Sequence, residues 1–204
     1  LKIADIIPDV IDDFQPSILV QIAYPASHES ASLGNYIDPK DVQTKPTVLL
    51  QADPDSEVAE DTLFTVIMTD PDAPSRQDPK WSEMCHWIAT NITLLPSANS
   101  SPHPDADLPS RSLRPAPAEL IEYYPPGPPP KTGPHRYVFL VFKPRNGTTS
   151  HLSPPPDRKR WGYGKVRHGV RKWATENDLI PVGERSAVPE FDTPLYFWHM
   201  LTKV

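Results

Sequence analysis

Three ionisable side chains and one phenol lie at the ends of apolar, β-like segments of the sequence: Asp70, His86, His135 and Tyr137. A polar group that continues an apolar row must be paired or functional, because burying it alone costs free energy. Imidazole N–H groups and a tyrosine hydroxyl can donate hydrogen bonds to an anion. A carboxylate can fix the tautomer of an imidazole and stabilise its protonated form. These residues therefore predict a small pocket that selects anions.

The two-residue period of a β-strand predicts which side chains share a face. Asp70 continues the apolar face of the run LFTVIMTD, residues 63–70. In the segment CHWIATNITLL, residues 85–95, His86 is predicted to share a face with Ile88. His135 opens HRYVFLVFK, residues 135–143, and is predicted to share its apolar face with Tyr137.

The residues give little support to an enzyme, although one alternative stays open. Cys85 and His86 are adjacent, so a strand points them to opposite faces and they do not form a nucleophile–base pair. No G-x-S-x-G nucleophile elbow, phosphate-binding loop or dinucleotide fingerprint occurs, and no cofactor is predicted. Asp70, His86 and His135 could hold a metal, as two histidines and a carboxylate do in some iron sites. A metal-binding enzyme that uses these three residues is the alternative function.

The elements that must position these groups are mostly strands. Proline accounts for 28 of 204 residues, which disfavours long helices. Further strands are predicted over residues 17–24 and from Lys45. A helix is predicted over residues 165–177, because Val166, Val170, Trp173 and Ala174 form one apolar face. A second helix is predicted at the C-terminus, over residues 193–204.

Turns and connections have their own composition. Asp72 and Asp78 lie in or next to Asp-Pro pairs, which initiate turns, and both are interpreted as turn-forming residues. Residues 96–118 are rich in Pro, Ser, Ala and Asp and are interpreted as a mobile loop within a single domain. An N-terminal arm, residues 1–14, has an apolar side that either packs on its own domain or inserts into the cleft of a partner.

The bulk composition limits the partners. The net charge is −6, which argues against nucleic acid as a partner. Nine of the 20 Lys and Arg residues lie between Lys143 and Lys172, which indicates a solvated face or a contact surface for anionic lipid or an acidic protein. No apolar run is long enough to cross a membrane. We expect a cytoplasmic monomer, and the three N-glycosylation sequons and the missing first methionine leave a secreted or organellar location open.

Two motifs resemble a known family. TDPDAPSR…DPKWSEMCHW (69–87) and GPPPKTGPHRYVFLVFK (127–143) resemble the paired motifs of the phosphatidylethanolamine-binding proteins, also called the Raf kinase inhibitor protein family. The resemblance is strongest to the fungal members known as carboxypeptidase Y inhibitors. It implies a mainly β fold, a two-sheet antiparallel β-sandwich with a few peripheral helices. It also implies a pocket for small anions or phospholipid head groups, formed by Asp70, Pro74, Trp81, His86, Gly133, His135 and Tyr137.

The same resemblance implies a non-enzymatic inhibitor or signalling modulator, with a serine carboxypeptidase or proteins of the kinase and Ras pathways as partners. One departure concerns the pocket rim. The family usually has Pro-Pro-Lys-Gly-Ser/Thr-Gly before the His-Arg pair, whereas this chain has Pro129-Pro130-Lys131-Thr132-Gly133 and is one glycine short. We therefore expect the rim to differ from that of the family.

Overall fold

A computed structural model describes residues 5–32, 35–95 and 115–189 of the chain, with side chains described as far as residue 183. The described strands are, in chain order, β1 (Ile18–Tyr24), β2 (Glu29–Ala31), β3 (Tyr36–Ile37), β4 (Thr47–Ala52), β5 (Phe64–Asp70), β6 (Met84–Ile92), β7 (Ala118–Ile121), β8 (Tyr137–Pro144) and β9 (Leu179–Pro189). They form a three-stranded sheet of order β2-β1-β4 and a six-stranded sheet of order β3-β9-β8-β5-β6-β7.

Neighbouring strands are antiparallel except for β3 and β9, which pair in parallel over two residues. The predicted two-sheet antiparallel sandwich is thus confirmed, with one short parallel pair at the edge of the larger sheet. Strand β9 was not predicted. Its sequence LIPVGERSAVP contains two prolines and a glycine and lacks the alternation that identifies a strand.

The larger sheet is buried on both faces. Between the two sheets, Val20 of β1 packs in the same apolar cluster as Val66 of β5 and Phe139 of β8. On the opposite face, Ile67 of β5 is covered by a second cluster to which Trp173 contributes. All seven residues of β5 are consequently buried, which explains why this strand is a nearly continuous apolar run.

The covering layer contains two short helices, α1 (Ile6–Asp9) and α2 (Gly169–Glu176). The helix predicted over residues 165–177 is therefore shorter than expected. Val166 lies before it and is 42% exposed, and Arg167 has φ +56°, which is incompatible with a right-handed helix. Val170, Trp173 and Ala174 are buried as predicted. No helix within the described ranges is long and apolar enough to cross a membrane.

Two other predicted segments lie largely outside the described residues. The predicted C-terminal helix, residues 193–204, lies wholly outside them, and the predicted mobile loop of residues 96–118 does so as far as residue 114. Strand β7 begins at Ala118, so the last residue assigned to that loop belongs to a strand.

The N-terminal arm packs on its own domain from Asp5 onward. Ile6, Val10 and Ile11 are buried in the cluster that covers the larger sheet. The carboxylate of Asp9 forms ion pairs with Arg136 and Arg167, at 3.2 and 2.9 Å. Of the two roles considered for the apolar side of the arm, the structure supports packing for the described residues.

Candidate functional site

The site is formed where β5 ends and β8 begins. These strands are antiparallel neighbours, with Thr69 opposite Val138, so Asp70 at the end of β5 comes next to His135 just before β8. Asp70 Oδ2 and His135 Nδ1 are 2.8 Å apart, and the two residues are 2% and 1% exposed. The other oxygen of Asp70 accepts a hydrogen bond from the backbone N–H of Asp72, at 2.7 Å. The carboxylate is therefore held by two partners.

Both ring nitrogens of His135 are occupied. Nε2 lies 3.1 Å from the hydroxyl of Thr132, which donates its only hydrogen to the Pro129 carbonyl at 2.7 Å. With this hydroxyl as an acceptor at Nε2 and the Asp70 carboxylate at Nδ1, the surroundings of the ring favour its protonated form. Burial alone would lower the pKa of His135, but the hydrogen bond and charge of Asp70 leave this pKa above its ordinary value.

His86 reaches the site through a β-bulge. In the pairing of β5 with β6, Met68 lies opposite Trp87 and Thr69 lies opposite Cys85, so His86 is the extra residue. Its ring makes an edge-to-face contact with Tyr137, with centroids 5.0 Å apart. The prediction that His86 shares a face with Ile88 is wrong, because Ile88 lies in the covering cluster on the other side of the sheet. A bulge shifts the two-residue period by one and re-aims the side chain.

The two histidines differ in their surroundings. His86 Nδ1 lies 2.7 Å from the carbonyl of Tyr124, and Nε2 is buried with no hydrogen-bond partner in the described part of the chain. Burial lowers the pKa of His86, against the opposing charge of Asp70. The surroundings thus shift the two imidazoles in opposite directions, with the pKa of His135 raised and that of His86 lowered.

Tyr137 lies between the two imidazoles. Its ring stacks on that of His135 with centroids 6.5 Å apart and an interplanar angle of 22°. Burial and the charge of Asp70 raise the pKa of Tyr137, and a backbone hydrogen bond from Gly127 opposes the rise. The phenol thus stays protonated and can donate a hydrogen bond.

The predicted rim residues occupy the neighbouring turns. Pro74 lies close to His135, whose pKa its backbone helps to raise. Trp81 donates its backbone N–H to the Ala73 carbonyl at 2.9 Å, and the ammonium of Lys159 lies 4.2 Å from the centroid of its ring. Gly133 has φ +74°. The structure thus brings Asp70, His86, His135 and Tyr137 together, with Pro74 adjacent and Trp81 and Gly133 on the turns around them.

The short rim turn has a local consequence. Lys131 adopts φ +68°, a left-handed conformation that glycine adopts more easily. In this turn the Thr132 hydroxyl lies against Nε2 of His135. No sequence pattern indicated that Thr132, the Tyr124 carbonyl or Arg158 would belong to the site. Thr132 acts through local turn geometry, and Tyr124 acts through a backbone atom. Arg158 donates to the carbonyls of Cys85 and His86, at 3.2 and 3.1 Å.

The chain of Thr132, His135 and Asp70 has the hydroxyl, imidazole and carboxylate order of a hydrolase triad. A triad histidine must accept the hydrogen of the nucleophile. Here the Thr132 hydrogen is directed to the Pro129 carbonyl, at 2.7 Å, and away from Nε2. In this conformation the hydroxyl is not paired with His135 as a nucleophile is with its base.

The metal alternative gains no support from the geometry. Within the described ranges, no group of three His, Cys, Asp or Glu side chains is arranged to hold a metal ion. Asp70 and His135 are hydrogen-bonded to each other, and Nδ1 of His86 lies 2.7 Å from the Tyr124 carbonyl. These three residues do not converge on a common point as ligands must.

Asp72 has a different role from the turn former that the sequence suggested. It is fully buried and accepts three hydrogen bonds from Arg136: from the backbone N–H at 2.8 Å, from Nε at 2.9 Å and from Nη2 at 2.6 Å. Asp78, in contrast, is exposed and lies in a turn capped by Ser75. The turn interpretation thus fits Asp78, whereas Asp72 anchors a buried ion pair.

Comparison with known proteins agrees with this geometry. A family profile described as Phosphatidylethanolamine-binding protein matches residues 27–182. A curated relative, the carboxypeptidase Y inhibitor of Saccharomyces cerevisiae, is 38% identical over 188 residues, which cover 85% of each chain. The crystal structure of carboxypeptidase Y inhibitor complexed with its cognate proteinase is similar with a TM-score of 0.77, at 34% identity over 94% of this chain and 93% of that one.

A more distant structure has the same fold. The phosphatidylethanolamine-binding protein from Plasmodium vivax superposes with a TM-score of 0.68 at 20% identity, over 93% of this chain and 95% of the other. The profile match spans more than half of the chain, and the fungal relative exceeds 30% identity over most of it. The chain therefore belongs to the phosphatidylethanolamine-binding protein family.

Proposed function

We propose that this protein is a non-enzymatic inhibitor of a serine carboxypeptidase and that it binds a small anion or phospholipid head group at Asp70, His86, His135 and Tyr137. The observation that carries the inhibitor role is the similarity to the yeast carboxypeptidase Y inhibitor, which extends over most of both chains. The solved relative was crystallised with its proteinase, and its fold matches this chain along nearly the whole length. A proteinase is accordingly the partner class with the best support.

The anion role rests on the polar groups of the site. The Asp70 carboxylate, 2.8 Å away, favours the charged form of His135, and the Tyr137 phenol can donate a hydrogen bond. His86 has a buried nitrogen without a partner in the described part of the chain. A buried polar atom without a partner costs about 1–3 kcal/mol, so an occupant that satisfies it would bind favourably.

The inhibitor role can be tested directly with yeast carboxypeptidase Y and the full chain. We expect the full chain to inhibit the enzyme when it is present in small molar excess over it. An absence of inhibition would overturn this part of the proposal. Because Ile6 and Val10 are buried, the residues of the arm that could enter a protease cleft without unpacking the core are those before Ile6. A chain that lacks residues 1–4 therefore tests the arm without removing buried side chains.

Loss of inhibition on that truncation assigns the contact to the arm, and unchanged inhibition assigns it to another surface. The folded state of the truncated chain is checked by its thermal unfolding, which should match that of the full chain. Removing residues 1–11 would be a poorer test, because it also removes the Asp9 ion pairs with Arg136 and Arg167.

A further inference from the structure

His86 has one nitrogen with a fixed role and one without a partner. Its Nδ1 lies 2.7 Å from the Tyr124 carbonyl, and a carbonyl only accepts, so Nδ1 carries a hydrogen. In the neutral ring, Nε2 is then a bare acceptor. This atom is buried in a residue that is 2% exposed, and no group within the described ranges donates to it.

Charged groups face His86 from each element packed around it. Asp70 at the end of β5 is negative, whereas His135 before β8 and Arg158 are positive. The rings of Tyr124 and Tyr137, with centroids 5.6 and 5.0 Å from that of His86, are uncharged. Burial lowers the pKa of His86, Asp70 opposes this effect, and Arg158 and His135 add to it. Burial and the two cations thus favour the neutral form of His86.

A bound oxyanion would instead favour the protonated form of His86. The lone pair of neutral Nε2 would repel the oxygen of an anion, whereas a protonated Nε2 would donate a charge-assisted hydrogen bond to it. The negative charge of the ligand would also favour the protonated form of His86. Both ring nitrogens of His135 already lie within hydrogen-bond distance of Asp70 and Thr132, whereas Nε2 of His86 has no partner in the described part of the chain.

We propose, building on the anion site proposed above, that an oxyanion enters together with one proton, which binds to Nε2 of His86. His86 is then the direct contact and the proton-linked residue, and His135 is a positioning residue whose charge is constant. The ligand class is an oxyanion without a hydrogen of its own to donate, such as a phosphodiester or a carboxylate. The proton comes from solvent and returns to it when the ligand leaves.

Isothermal titration calorimetry with dimethyl phosphate tests the proposal, because this phosphodiester has no group that titrates near neutral pH. Titrations at about pH 8 in two buffers of different ionisation enthalpy should reveal uptake of about one proton per ligand bound. The dissociation constant of the full chain should rise about tenfold per pH unit above neutral pH, as a single linked proton requires.

The variant His86→Gln should lose the proton uptake and its pH dependence. The control His151→Gln changes an exposed histidine that bonds to the Asn177 carbonyl, and it should behave like the unmodified chain. The ¹⁵N signals of the His135 ring should show two protonated nitrogens before and after binding.

Binding of dimethyl phosphate without proton uptake, or uptake that persists in His86→Gln, would overturn this inference and leave the anion site intact. If dimethyl phosphate, phosphorylethanolamine and acetate all fail to bind from acidic to weakly alkaline pH, the anion site itself is overturned. The pH dependence is measured on the unmodified chain, so the test stands even if the variant does not fold.

Discussion

Two buried polar clusters lie side by side where β5 ends and β8 begins, and they differ in how completely they are paired. In the first, Asp72 and Asp9 both pair with Arg136, and Asp72 accepts three hydrogen bonds that Arg136 donates. In the second, formed by Asp70, His86, His135 and Tyr137, Nε2 of His86 has no partner in the described part of the chain. The comparison teaches that complete pairing suits a role in folding, whereas the second cluster leaves a nitrogen available for the proposed ligand.

The largest effect is expected from breaking the paired cluster. Asp72→Ala leaves the guanidinium of Arg136, a residue that is 4% exposed, with only part of its partners. Removing one partner of a buried ion pair costs about 3–5 kcal/mol. We expect a loss of this size in the free energy of unfolding, measured by urea denaturation.

Asp78→Ala is the matched control, because it removes a carboxylate from the same acidic, proline-rich segment. Among the described residues Asp78 pairs with Lys80, and the two side chains are 67% and 59% exposed. An exposed pair of this kind contributes about 0–1 kcal/mol. Equal losses for Asp72→Ala and Asp78→Ala would contradict the distinction between a buried anchor and a surface turn.

A second large effect is expected at Glu83, which is buried outside the pocket and incompletely paired. One of its oxygens accepts from the backbone N–H of Val170 at 3.0 Å, and the other has no partner in the described part of the chain. Burial raises the pKa of Glu83 to about 8. At neutral pH the folded state therefore keeps a proton that the unfolded chain, with a pKa of about 4.3, has already released.

Stability from this proton is present below about pH 4 and is lost as the pH rises towards about 8, since the unfolded state binds fewer protons in that window. Glu83→Gln stays neutral and keeps the oxygen that accepts from Val170. We expect it to unfold with a free energy that is higher by a few kcal/mol at pH 8 and nearly unchanged at pH 4. A gain of the same size at both pH values would show that the proton is not its source.

In the second cluster, a substitution at His86 should affect ligand binding more than stability. His86→Gln should weaken the binding of phosphorylethanolamine about 10- to 100-fold, which is the loss of one hydrogen bond to a charged group. Its free energy of unfolding should change by less than about 1.5 kcal/mol. His135→Gln, which separates a buried pair 2.8 Å apart, should instead lower stability markedly. A larger stability loss for His86→Gln than for His135→Gln would invert the comparison.

The smallest effect is expected at the rim. Lys159→Met keeps the aliphatic stem over Trp81 but removes the ammonium that lies 4.2 Å from the ring centroid. An exposed cation–π contact contributes about 0.5–1 kcal/mol. We expect a stability loss within this range, measured by the shift in the urea midpoint, and a larger loss would mean that Lys159 has a further buried partner.

Much of the site could be predicted from the sequence because side chains alternate between the two faces of a strand. The apolar run of β5 and the polar residue at its end placed Asp70 correctly, and the start of β8 placed His135 and Tyr137 near it. Antiparallel pairing of these two strands then makes the Asp70–His135 contact almost unavoidable.

The remaining features depend on information that no local pattern carries. The bulge at His86 is set by the pairing of β6 with β5, and a single inserted residue leaves no mark in the alternation of either strand. The role of Asp72 depends on Arg136, 64 residues away in the sequence. Strand β9 is held by its pairing with β8 despite a sequence with poor strand propensity.

The most direct test of the account is a ¹⁵N NMR titration of the histidine rings with phosphorylethanolamine at about pH 7.5. Before ligand is added, His86 should show one protonated and one bare nitrogen, and His135 should show two protonated nitrogens. At saturation, Nε2 of His86 should become protonated or hydrogen-bonded and shift strongly, while the nitrogens of His135 move little. If neither signal of His86 moves at saturating ligand, the cluster of Asp70, His86, His135 and Tyr137 is not the anion site. The similarity to the family would then extend to the fold and not to this pocket.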